Sequence, residues 1–311
     1  MVLYGHGLGD VKESLSVEAL VQKFAQEGLV LAGMDAVCHG DRAPIPGDPV
    51  TSLLCYFDFA HPLRFRDNIR ETIADYMWFA RAVKQLGDID VIPRETGGDG
   101  IPDFDVEHLY YLSISMGSIH GGVFSALEEN IDAWVVSSAG AKFTGIALEG
   151  PYLGAFVDIA QMLDDMVPGG MHAEDGLWTV GGFAQNILDA ADPFTYLTHT
   201  VDDPLPGLES HAPQVLQQGG EADATLGGVA GAYYNRAGGW PQLEPYVWDT
   251  GIGDYDTCPH EGSGFYQYDT DEHFNLWLTT PMGNAYREQA THFIRSHYET
   301  GVAEIIDPLA E

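Results

Sequence analysis

The chain has 311 residues, 45% of them apolar, enough for one large domain with a deep core or a core domain plus an insert. Its 47 acidic residues against 13 basic ones give a net charge of −34, a field that repels nucleic acid and anionic membranes and excludes both as partners. No run of about 18 apolar residues offers a membrane span, and the N-terminus shows no signal peptide.

Strands alternate with helices along the first half, the pattern of a mostly parallel sheet flanked by helices. Val2–Gly5 reads as the first strand. Ser16 to Glu27 reads as a helix, with Ser16 as its cap, Glu18 at its positive end and Gly28 ending it. Leu29–Ala36 is an unbroken apolar strand, as expected for burial on both faces. Residues 37–65 read as an irregular loop carrying Pro44, Pro46, Pro49 and Pro62. Asp67–Leu86 is an amphipathic helix with Ile69, Ile73, Met77 and Ala80 on one stripe. A Gly/Asp-rich loop spans 87–106. His108–Ser113 is a strand, Gly117–Leu127 a helix and Asp132–Ser138 the next strand.

The rhythm then breaks. Residues 140–212 contain no clear strand and read as a helical insert between core segments 1–139 and 213–311. One amphipathic stretch carries Tyr152, Phe156, Ile159, Leu163 and Met166, and a second Trp178, Phe183, Ile187 and Leu188. Pro213–Gly219 resumes the sheet, Tyr246–Asp249 is a weaker strand, and Gly283–Thr300 is the final helix.

Tyr110 to Ser118 passes from apolar strand to small-residue helix with no linker, as a nucleophile elbow requires. Such a turn needs small residues two before and two after the nucleophile. Ser113 and Gly117 stand there around Ser115, giving Ser-x-Ser-x-Gly in place of Gly-x-Ser-x-Gly. The Met116 N–H would open the helix, where dipole and free donors favour an oxyanion. A second donor must come from a loop of close approach. The Gly5-His6-Gly7-Leu8-Gly9 turn after the first strand offers the Leu8 N–H, with His6 structural. A dinucleotide fingerprint fails there, because Asp10 occupies the third glycine position.

A serine nucleophile needs a base, and the base an orienting acid. Asp223, at the end of a strand and tight loop, is the candidate acid, with Glu221 its nearest rival. His273 before the last helix is the candidate base, with His260 the runner-up. His292 and His297 read as surface residues of that helix, and His120 as packing.

These landmarks resemble the α/β-hydrolase superfamily: His6-Gly7-Leu8 after a strand, Asp35 to Arg42, the elbow at Ser115, Gly220–Asp223 and Glu272-His273-Phe274. Within it the chain looks like bacterial carboxylesterases and lipases with a helical lid, polyester-degrading ones included. The resemblance implies hydrolysis of carboxylic esters through an acyl-enzyme, by Ser115, His273 and Asp223. The lid would be 140–212, with Tyr152, Phe156, Met166, Trp178 and Phe183 lining an acyl pocket. An acyltransferase, a peptidase and a non-catalytic binding module are the alternatives. The family has two strands before its His-Gly turn, so the first strands of the fold are expected to be absent here, and a partner copy could cover the exposed edge.

No cofactor is expected, calcium at Gly97–Asp105 being the one alternative; the loop lacks full EF-hand spacing. The acids are spread along the chain and read as a solvated surface suited to salty surroundings. Of Cys38, Cys55 and Cys258, three free thiols are the favoured reading, with a Cys38–Cys55 bridge available if the protein is exported.

Overall fold

A computed structural model describes residues 1–58, 61–149 and 173–310, excepting the side chains of 148–149 and 173–180. Its centre is an eight-stranded parallel sheet. In chain order its strands are β1 (Val2–Gly5), β2 (Leu31–Gly33), β3 (Tyr110–Ile114), β4 (Ala133–Ser137), β5 (Gln214–Gly220), β6 (Gln242–Leu243), β7 (Tyr255–Asp256) and β9 (Gly264–Tyr268). They lie in the order β2-β1-β3-β4-β5-β9-β6-β7. A separate antiparallel pair joins β8 (His260–Glu261) to β10 (Glu304–Ile305). The helices used below are α1 (Glu18–Gln26), α2 (Pro49–Tyr56), α3 (Pro62–Val83), α4 (Met116–Phe124), α5 (Phe143–Glu149), α6 (Ala173–Leu188), α7 (Gly227–Gly238) and α8 (Pro281–Thr300).

β3 and β4 are buried at every residue, because helices cover both faces of the sheet. One apolar cluster gathers α3, α4 and Trp134 on one face. The other gathers α1, α8 and Tyr266 and Tyr268 of β9. The stripe expected on α3 is where the helix meets the sheet: Ile69, Ile73 and Ala80 are buried.

Several expectations need correction. Leu29–Ala36 is not a long strand buried on both sides. It shortens to β2, an edge strand with no residue fully buried, and Val30 is exposed. Ser16 does not cap α1; its hydroxyl donates to the Glu13 carbonyl in a preceding 3-10 turn, and Val17 takes the cap position. The loop 37–65 holds α2, capped by Asp48 with Pro49 in its first turn, and Pro62 opens α3. Tyr246–Asp249 is no strand. Its place in the sheet goes to β6 and β9, and the Trp248 N–H donates instead to the Gln267 side chain. α7 was hidden by four glycines, which lower helix propensity; packing of Ala230, Ala232 and Tyr234 stabilises it instead.

The favoured reading of three free thiols is also overturned. Cys38 and Cys55 are joined by a disulfide, because α2 brings their Cα atoms to 5.7 Å; Cys258 is the free thiol. Among the described residues of 140–212 the structure is helical, with α5, α6 and short turns at 193–201, and no strand.

Candidate active site

The residues singled out in the sequence follow the carboxyl ends of parallel strands, Leu8 after β1, Ser115 after β3, Asp223 after β5 and His273 after β9, and among the described residues the hydrogen bonds join Asp223 to His273 but not His273 to Ser115. Ser115 stands between β3 and α4 with φ 55° and ψ −120°. A non-glycine residue in that region is strained, and the strain is held by bonds on both sides. The Ser115 N–H donates to the Ser137 carbonyl at 3.0 Å, and its own carbonyl accepts from Ser118 and Ile119. Gly117 is required: a Cβ there would lie 2.2 Å from the Gly5 carbonyl oxygen. Ser113 is not a competing nucleophile. Its hydroxyl is fully buried, within 3.0 Å of the Ser118 hydroxyl, in a chain that ends on β4 carbonyls. That network explains why serine is accepted where glycine is usual.

The turn after β1 lies against the serine. A Cβ at Gly7 would be 3.6 Å from the Ser115 Cβ. Met116, as the first residue of α4, has an N–H with no acceptor inside the helix. Among the described residues, no group accepts from the Leu8 N–H.

His273 and Asp223 form a buried pair, 4% and 3% exposed. The carboxylate lies 2.7 and 2.9 Å from Nδ1. Burial pushes the Asp223 carboxyl up, but the hydrogen bond and charge of His273, then the Thr225 and Leu226 N–H groups, outweigh it and hold it below the usual carboxylate range. An ionised carboxylate only accepts, so Nδ1 carries the proton. Among the described residues Nε2 of His273 is buried and without a hydrogen-bond partner.

Three contacts fix where this ring sits. The Ser138 hydroxyl, just beyond β4, donates to the His273 carbonyl at 3.0 Å. Phe274 stacks on Trp277, whose indole N–H donates to the Tyr4 hydroxyl of β1 at 3.0 Å. The Ala224 N–H donates to the Asp271 carbonyl. The loop of His273 is therefore tied to β1 and β4, the two neighbours of β3, the strand that leads into Ser115. Ser138, Trp277 and Tyr4 gave no sequence signal for this role, since nothing in a linear pattern pairs positions so far apart.

The rival assignments fall elsewhere. His260 has both ring nitrogens engaged, with Asp256 and the Ser263 carbonyl. Glu221 is only half-buried and makes no bond to His273. His6 is buried and bonded at both nitrogens, as a structural residue should be. His292 pairs with Glu304, and His297 packs half-buried on Tyr110. His120 is buried against Tyr56.

Of the expected acyl pocket, Tyr152, Phe156 and Met166 lie outside the described residues, as does the side chain of Trp178. Phe183 is 73% exposed on α6 and lines no described cavity. A small pocket beside the pair is lined by Ser138, Gly220, Asp223, Leu226 and Phe265. In the loop 97–105, Asp103 accepts from Val91 and Ile92 while Asp99 and Gly100 donate to Asp90. Among the described residues no three acidic, cysteine or histidine side chains group to hold a metal ion. No described helix is long and apolar enough to cross a membrane.

No protein-family model matches this chain, and neither does any curated protein sequence. Solved structures do. A lipase in an open form is 13% identical over 95% of this chain and 89% of its own, with a TM-score of 0.50. A monoacylglycerol lipase of Paleococcus ferrophilus is 13% identical over 95% and 94%, at 0.48. An esterase of Pyrococcus furiosus is 12% identical over 95% and 80%, at 0.47. At such identity the likeness speaks for the fold alone.

Proposed function

We propose that this chain, an α/β-hydrolase by fold, is a serine hydrolase that cleaves carboxylic esters of short to medium acyl length through an acyl-enzyme. One observation supports the reading: a buried histidine–carboxylate pair sits on a loop tied to the two strands that flank β3, the strand that leads into the strained Ser115 elbow.

The chemistry follows from that arrangement. A serine hydroxyl is a weak nucleophile until its proton is taken. Asp223 fixes the His273 tautomer with the proton on Nδ1, which leaves Nε2 basic. His273 accepts the Ser115 proton as Oγ attacks the ester carbonyl. The Leu8 and Met116 N–H groups receive the developing oxyanion, each worth about 3 kcal/mol of barrier. The imidazolium, stabilised by Asp223, returns the proton to the leaving alcohol. A water activated by the same ring then releases the acid. The segment 140–212 serves as the lid over the acyl chain, with Tyr152, Phe156, Met166 and Trp178 as its apolar lining.

The test is Ser115→Ala. The variant should lose cleavage of p-nitrophenyl acetate and butyrate and labelling by a fluorophosphonate, with its fold retained. Full turnover in that variant rejects the assignment.

A further inference from the structure

The proposed chemistry leaves the cystine unused, yet buried rings and a backbone bond link the cystine to the turn that carries Leu8. Cys38 and Cys55 are each followed by a buried ring, His39 and Tyr56. Those rings meet edge to face at 5.2 Å, and His39 lies 5.2 Å from the ring of His6. His6 is fixed at both nitrogens. Its Nε2 accepts from the Ala36 N–H at 3.0 Å, so Nδ1 carries the proton and donates to the Gly7 carbonyl at 2.8 Å. The Gly7 carbonyl and the Leu8 N–H belong to one planar trans peptide and point opposite ways. Holding the carbonyl therefore aims the N–H.

We infer that the Cys38–Cys55 bridge is a positioning device for the oxyanion turn: it pins segment 36–39 to the end of α2, clamps the rings of His39 and His6, and so sets the direction of the Leu8 N–H. The inference rests on the reading of Leu8 as an oxyanion donor. The turn needs such a brace because glycines flank Leu8 on both sides, nothing described accepts from its N–H, and besides His6 the Gly7 carbonyl has only the longer bond from the Asp10 N–H at 3.3 Å, inside the same turn, among the described residues. Without the bridge both partners stay attached to α3. The Val37 N–H donates to the Thr72 hydroxyl, and Asn68 donates to the Cys55 and Tyr56 carbonyls. Loss of the bridge therefore loosens the rings and leaves the fold.

The experiment compares the protein carrying Cys258→Ala with the same protein carrying Cys38→Ser and Cys55→Ser. The Cys258→Ala protein treated with dithiothreitol is the second arm. There the S–S bond breaks to two thiols while the reagent closes to its own disulfide. Expected is a fall in kcat for p-nitrophenyl butyrate on the order of tenfold, less than the 10²–10³ of a deleted donor. KM should stay within about twofold, because the donor acts on the transition state. Affinity for a phenylboronic acid, whose serine adduct carries an oxyanion, should fall by the same factor. The downfield proton resonance of the His273–Asp223 hydrogen bond should persist. Unchanged kcat and boronate affinity overturn the inference. So does a fall in kcat accompanied by loss of that resonance, which is general loosening. If the double serine variant does not fold, the dithiothreitol arm and His39→Leu decide by the same readouts. Activity surviving Ser115→Ala would instead defeat the serine hydrolase reading itself.

Discussion

Mild acid should destabilise this protein through three histidines buried on one side of the site. His6, His39 and His120 are all fully buried. Burial, then the neighbouring imidazoles, pushes His39 down to about 4 and His120 down to about 3; His6 is lowered too, chiefly by burial. The unfolded chain binds a proton on each near its ordinary value of about 6.5, while the folded chain refuses it. Their contribution to stability is thus full above about pH 6.5 and is lost as pH falls from there toward the folded values. Each unit below 6.5 costs about 1.4 kcal/mol per histidine, so pH 5 costs about 2 kcal/mol for His39 and about 2 for His120. Their sum is a large part of a typical folding free energy of about 5–15 kcal/mol. Ordinary carboxylates stay mostly ionised at pH 5 while ordinary histidines gain charge and relieve part of the negative field, so the contribution of one buried ring is read from a variant that lacks it. Urea unfolding at pH 7.5 and pH 5.0, at one salt concentration, measures the loss. In His39→Phe the loss should shrink by about 2 kcal/mol. A pH-dependent loss of the same size in His39→Phe, or an NMR titration of His39 in the folded protein near 6.5, would refute the reasoning.

Other consequences are open to measurement. Gly117→Ala should prevent the elbow from closing, because the new Cβ meets the Gly5 carbonyl at 2.2 Å; its thermal midpoint should fall by several degrees and its activity vanish. Asp223→Asn should keep the fold but lower kcat about 10⁴-fold through the wrong imidazole tautomer, whereas His260→Ala should leave kcat unchanged. The lowered Asp223 carboxyl adds stability above the ordinary carboxylate range that is lost as pH falls through its folded value, so the acid unfolding midpoint should rise in Asp223→Asn. With a net charge of −34, the thermal midpoint should climb with added KCl up to about 1 M, and a flat response would show that surface repulsion is not limiting.

What could be read in the sequence was local. The elbow was legible at Ser115 because its geometry demands small residues at fixed offsets within one short segment, and Gly117 supplies the decisive one. Asp223 and His273 stood out as candidates because an acid and an imidazole fall in the expected order at loop ends, but Glu221 and His260 fall in that order too, and only the pairing in space separates them. The strands β3 and β4 were legible as apolar runs, since burial on both faces leaves no alternation. β9 was not: its aromatic run sits among glycine and aspartate, and only pairing with β5 and β6 makes it a strand. α7 was lost among its glycines for the same reason.

Residue types and their spacing within a few positions of one another therefore determined the alternation of strand and helix in the first half and the elbow, and narrowed the acid to Asp223 or Glu221 and the base to His273 or His260. Tertiary structure alone decided which cysteines meet, which histidine–carboxylate pair is buried, and how the loop of His273 is tied across to Tyr4 and Ser138. The physical reason is range. Backbone sterics and side-chain periodicity act over one or two turns of chain and leave a mark in the sequence. A hydrogen bond between residues 273 positions apart depends only on where the sheet sets its strand ends.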